Sequence, residues 1–70
     1  MKNLIYSFVL EGENIDGDLI SECVEFENVE SFNDACELAE KEAENLLKFE
    51  GGGHIDIFDI DGLFLSDVEV

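Results

Sequence analysis

SFNDACELAEKEAENLLKFEGGG, residues 31–53, is the one stretch of this chain whose apolar residues recur every three or four positions. Phe32, Ala35, Cys36, Ala39, Ala43, Leu46 and Leu47 fall on a single stripe at that spacing, which predicts an amphipathic helix. Ser31 is a good N-cap, with Asp34 three residues later in a capping-box arrangement. Glu37 with Lys41 and Glu44 with Lys48 stand four residues apart in the favoured acid-before-base order. The three glycines at 51–53 end the helix.

On both sides of this segment the period falls to two. In NLIYSFVLEG (3–12), Leu4, Tyr6, Phe8 and Leu10 share one face, while Ile5, Ser7, Val9 and Glu11 share the other with Asn3. EGENIDGD (11–18) follows, with Gly12 and Gly17 marking a turn. DLISECVEFE (18–27) then sets Ile20, Val24 and Phe26 against Leu19 and Cys23. These two runs read as a hairpin. HIDIFDIDGLFLSDVEV (54–70) reads as another, turning through Ile60-Asp61-Gly62 with Gly62 left-handed. That register puts Ile55, Ile57, Leu63 and Leu65 on one face and Phe58 and Phe64 on the other.

The order strand, strand, helix, strand, strand defines an α+β fold. It is a small, mainly antiparallel four-stranded sheet (ββαββ) with one helix packed on one face. Seventy residues make a single domain, 1–70, whose core is marginal because so short a chain buries only about 60% of its unfolded surface. One helix covers one side. The other side keeps Ile5, Val9, Phe58 and Phe64, an apolar patch for a weak homodimer or a partner to cover.

Charge restricts function more than any motif does. Nineteen acids face three lysines and no arginine, for a formal net charge of −16. Such a field steers a molecule toward cationic surfaces and strains its own compact state. Direct binding to nucleic acid needs phosphate-neutralising side chains that are missing, and an anionic membrane is disfavoured for the same reason. With no signal peptide or membrane span in the sequence and two unpaired cysteines, Cys23 and Cys36, a cytoplasmic location is expected.

No site for chemistry emerges from the sequence. With Gly62 as the invariant glycine of a calcium loop, Asp59 and Asp61 reach ligand positions, but Ile57 and Val68 occupy the two ends. With Gly17 in that role the ends are Gly12 and Cys23. No metal or cofactor is therefore expected. His54 follows three glycines with no nucleophile near it in sequence, and Asp56 is placed to raise its proton affinity. The expectation is a protein that is not an enzyme, with no catalytic residues.

What stands out is the ranks of like charge. Glu25 and Glu27 share a strand face about 6 to 7 Å apart. Glu37, Glu40 and Glu44 form a helical row at about 5 to 6 Å. Both spacings are comparable with phosphates along a nucleic-acid strand, where the axial rise is about 3.4 Å per strand on a longer path. The expected contact residues are Glu22, Glu25, Glu27, Glu30, Glu37, Glu40 and Glu44, with Asp56, Asp59 and Asp61 as a second cluster and Phe58 and Phe64 as apolar anchors.

In size, acidity and element order the chain resembles the small inhibitors that phages use against host defences. These are the anti-CRISPR proteins and other DNA mimics such as uracil-DNA glycosylase inhibitors and antirestriction proteins. The resemblance implies stoichiometric inhibition of a nucleic-acid-binding protein or complex through its basic site, without catalysis. The alternative is an interaction or antitoxin-like regulatory module whose apolar sheet face carries specificity.

Overall fold

The computed structural model describes residues 4–70. Four strands and a helix follow in the expected order: β1 (Ile5–Asn14), β2 (Leu19–Glu27), α1 (Phe32–Phe49), β3 (Gly53–Asp59) and β4 (Phe64–Glu69). The strands form one sheet in the order β2-β1-β3-β4, every neighbouring pair antiparallel. Because β2 and β3 both run against β1, they are parallel to each other with β1 between them. Helix α1 makes that crossover on one side of the sheet.

The helix begins with one half of the capping box its sequence predicts, without a return bond from the Ser31 N–H to the Asp34 carboxylate. Ser31 has extended backbone, and its Oγ accepts the Asp34 N–H at 3.1 Å. It ends where the glycines begin, with the Gly52 N–H reaching back to the Leu47 carbonyl (2.7 Å) and the Gly51 N–H to that of Lys48 (3.3 Å). This pair of bonds is the Schellman closure, which satisfies carbonyls left over in the last turn. Of the two expected ion pairs, only Glu44–Lys48 forms, at 2.7 Å. Glu37 and Lys41 are not joined, as suits exposed side chains whose pairing gains little against water and lost rotamer freedom.

The core is the helix stripe set on the even-numbered face of β1. Ala35, Ala39, Ala43 and Leu47 are buried against Phe8, Leu10, Ile20, Ile55 and Ile57. Three alanines at four-residue spacing let the helix axis approach the sheet closely. Phe32, which belongs to the same stripe, stays partly exposed, with its ring centroid 5.9 Å from those of both Tyr6 and Phe8. α1 lies chiefly over β3 and β4, less over β1 and least over β2. Edge strand β2 thus has only Ile20 fully covered, while Val24 and Phe26 are half-buried.

Gly12 is not part of the turn. It lies inside β1 opposite Ile55, and a Cβ placed there would stand 1.8 Å from the His54 carbonyl oxygen. Only a residue without a side chain lets β3 come this near. The β1–β2 turn is instead residues 15–17, closed by left-handed Gly17 (φ 85°). The β3–β4 turn, 60–62, closes on Gly62 (φ 89°) as expected.

The two turns are built alike. Asn14 Oδ1 accepts the N–H groups of Asp16 and Asp18, both at 2.9 Å, and Asp59 Oδ1 accepts those of Asp61 and Leu63, both at 2.9 Å. The backbone bonds match too: Gly17 N–H to the Asn14 carbonyl and Gly62 N–H to the Asp59 carbonyl, each 3.0 Å. NIDGD (14–18) and DIDGL (59–63) are two copies of one turn motif. The resemblance of these segments to calcium loops thus has a plain cause: Asx side chains organise tight turns by binding the backbone ahead of them.

One expectation about β4 fails. Phe58 pairs with Phe64 as predicted, but a β-bulge follows, so that Ile57 pairs with Ser66 and Asp56 with Asp67. Uninterrupted, the same register would have set Ser66 against Asp56. Leu65, at the bulge, still packs on the core, whereas Leu63 is 63% exposed in the hairpin loop and adds nothing to the core face. A bulge shifts every later residue of its strand by one position and so exchanges which of them face the helix. The described residues contain no helix long and apolar enough to cross a membrane.

Candidate functional site: the open face of the sheet

The sheet face away from α1 is fixed by register alone, and it has a banded composition. Across β2, β1, β3 and β4, one row reads Cys23, Val9, Phe58, Phe64. The next row toward the C-terminal end of β1 reads Ser21, Glu11, Asp56, Asp67, and the one after it Leu19, Glu13, His54, Glu69. On the other side of the apolar row, Ser7 pairs with Glu25 and Ile5 with Glu27. Neighbouring rows are about 7 Å apart and neighbouring strands about 4.8 Å.

Carboxylates therefore sit on both flanks of a central apolar band. Phe58 and Phe64 meet edge-on across the strands with ring centroids 5.9 Å apart. Ile60, 74% exposed, stands over the band's margin beside Ser7 and Cys23 and helps line a shallow hollow there. Among the described residues both lysines, Lys41 and Lys48, lie on α1, on the far side of the sheet. Among the described residues no lysine or arginine answers the open-face acids.

Among the described residues His54 is the only basic group on this face. Its Nε2 lies 3.1 Å from Asp67 Oδ2 and 3.2 Å from Asp56 Oδ1. The hydrogen bond to Asp67 raises its proton affinity most, with the charges of Asp56, Asp67 and Glu69 adding to it and partial desolvation opposing. From sequence, Asp56 was the expected cause. The bulge makes Asp67 the principal one. One atom from each of these three side chains falls within 4.8 Å of the other two, a mixed nitrogen and oxygen donor set on three adjacent positions.

The residues singled out in the sequence divide between the two sides of the molecule. Glu25, Glu27, Asp56, Phe58 and Phe64 share the open face. Glu22 points to the helix side, opposite Leu10, but reaches solvent because α1 leaves β2 uncovered there. Glu30 lies in the β2–α1 connection. Glu37 and Glu44 are on the helix, and Lys48 beside Glu44 holds its carboxyl below the usual carboxylate range.

Two of the expected contact acids have structural employment. Glu40 is half-buried, and its Oε2 accepts the Ser66 Oγ–H at 2.5 Å, which ties α1 to β4. Asp59 is engaged by its own turn, and Asp61 is exposed at the tip of that turn. Conversely, Glu11, Glu13, Asp67 and Glu69 join the open face without having been singled out. For Glu11 and Glu13 the two-residue alternation of β1 was the signal. For Asp67 and Glu69 the bulge hid it.

Both cysteines are free thiols. Burial, with a smaller push from the Glu40 carboxylate, raises the Cys36 thiol above its ordinary range, opposite to what a nucleophile requires. Cys23 is exposed at the end of the apolar band. No protein-family model, curated protein or solved structure matches this chain.

Proposed function

We propose that this protein is a non-enzymatic acidic inhibitor that occupies a basic, nucleic-acid-binding site on another protein or complex, acting as a DNA or RNA mimic of the anti-CRISPR or related anti-defence kind. The observation that carries this reading is the open face: all four strands contribute carboxylates to it, and among the described residues no lysine or arginine stands with them. A rigid sheet holds these charges in place before binding, so ordering them costs little at the moment of association. Their field raises the encounter rate with a cationic groove, and the apolar band slows release.

The reading is tested by competition. The immobilised protein should retain a partner that sheared duplex DNA or single-stranded RNA displaces. Retention should weaken steeply as NaCl rises from about 0.1 M to about 1 M, as the Debye length falls from about 10 Å to about 3 Å. A partner indifferent to both nucleic acid and salt would refute mimicry. A second reading, an interaction or antitoxin-like module, is favoured by one feature, the Phe58–Phe64 pair on an uncovered sheet face. It expects salt-insensitive binding that a polar residue at Phe64 abolishes.

A further inference from the structure

The apolar band lies between two sets of carboxylates, and that alternation selects an occupant. Along β1 the open face presents Ser7, Val9 and Glu11 at steps of about 7 Å. Val9 belongs to the band with Phe58 and Phe64, Ser7 pairs with Glu25, and Glu11 continues into Asp56 and Asp67.

We infer that the open face is a two-part seat for a basic protein segment in which one apolar side chain is flanked on both sides, at about 7 Å, by arginine or lysine. The apolar side chain rests on Val9, Phe58 and Phe64. The basic ones reach Glu25 on one flank and the opposed pair Asp56 and Asp67 on the other. This rests on the mimic reading and names the chemistry of the partner's contact segment.

Charge complementarity excludes the other occupants. A second copy would bring another formal charge of −16 against a face that has no lysine or arginine among the described residues. A nucleic acid would be repelled likewise. An uncharged apolar partner would desolvate Glu25 and Glu11 without pairing them, which costs several kcal/mol per ion. A cationic segment with a single apolar row leaves neither fault. His54 Nε2 takes one oxygen of each acid, Asp56 Oδ1 and Asp67 Oδ2, and arginine suits this flank better than lysine because its planar fork can reach the remaining oxygens of two carboxylates held on adjacent strands.

Two synthetic peptides of equal length and charge test the seat against isotopically labelled protein by NMR titration: repeats of Arg-Ser-Leu-Ser-Arg and of Arg-Ser-Ser-Ser-Arg. The leucine peptide should bind about tenfold more tightly, the scale of one partly buried leucine. Its shifts should centre on Val9, Glu11, Asp56, Phe58 and Asp67 and leave the helix surface at Glu37 and Glu42 unmoved. Phe64→Ser should abolish the leucine advantage but keep the serine peptide's affinity, whereas Asp56→Asn with Asp67→Asn should weaken both. Equal affinities, shifts centred on α1, or a Phe64→Ser variant that still prefers leucine would each overturn the seat. Such a result beside DNA-competable retention of the native partner removes the seat alone, while retention indifferent to DNA and salt removes the mimic reading instead.

Discussion

Replacing Asp59 with alanine should unfold this protein at a markedly lower temperature while leaving its charge-dependent binding intact. Asp59 Oδ1 accepts two backbone N–H groups at 2.9 Å, from Asp61 and Leu63, and thereby organises the turn that joins β3 to β4. Each such bond contributes about 0.5–1.5 kcal/mol net. Water reaches this turn and replaces part of what is lost, so the pair together is worth about 1–2 kcal/mol. For a domain of this size about 1 kcal/mol corresponds to about 4–8 °C, and the expected drop is about 5–15 °C.

Removing a carboxylate from a chain of net charge −16 also relieves repulsion, which works in the opposite direction. Asp59→Asn separates the two effects, since an amide oxygen keeps the acceptor and discards the charge. The other hairpin already uses an asparagine, Asn14, in this role with the same two 2.9 Å bonds. Asp59→Asn should melt at or slightly above the wild-type temperature. Asn14→Ala should resemble Asp59→Ala, and the double variant should be additive because the two turns lie at opposite ends of the sheet. The assay is thermal denaturation followed by circular dichroism, with urea titration as a check, at fixed pH and ionic strength. If Asp59→Ala melts with the wild type, or Asp59→Asn falls as far as alanine does, the turn account is wrong.

Four further outcomes are expected. Gly12→Ala should fail to fold, read as loss of dispersion in an amide NMR spectrum, because its Cβ would stand 1.8 Å from the His54 carbonyl oxygen. Leu47→Ala, at a fully buried position, should cost about 3 kcal/mol in urea titration, through lost transfer energy and the cavity left behind. Added NaCl at constant pH should raise the melting temperature by screening unpaired acids, and a fall would contradict the charge distribution described above. His54 is held more tightly protonated in the folded state than in the unfolded one. Its stabilising contribution is therefore complete below the unfolded value, about 6.5, and disappears as pH rises through the raised folded value. His54→Gln should flatten stability against pH over that range, while an unchanged profile would show that Asp56 and Asp67 do not act on the ring.

The sequence by itself determined the elements. A three-to-four residue period cannot serve a strand, nor a two-residue period a helix, so the stripe through Ala35, Ala39, Ala43 and Leu47 and the alternation through Tyr6, Phe8 and Leu10 fixed which segment took which form and which side met the core. Ser31 and Gly62 behaved as their local chemistry requires. The shared pattern of NIDGD and DIDGL was legible as well, as one turn motif used twice. Against metal-ligand spacing the same pattern fails. Charge also needed no coordinates: an excess of acids on this scale is a property of composition.

Tertiary structure alone decided the strand order, the place of Gly12 and the register beyond Phe64. Gly12 reads as a turn glycine until β3 is seen crossing it, a contact between residues more than forty positions apart. The bulge at Leu65 leaves that side chain on the core and brings Val68 to the core side as well, and in doing so it turns Asp67 and Glu69 to the open face beside His54. Period-two reasoning assumes an unbroken ladder, and a single inserted residue reverses its answer for everything downstream. The acidic face exists because two hairpins, each readable locally, are joined edge to edge through β1 and β3, and that pairing is stabilised by contacts no single segment contains.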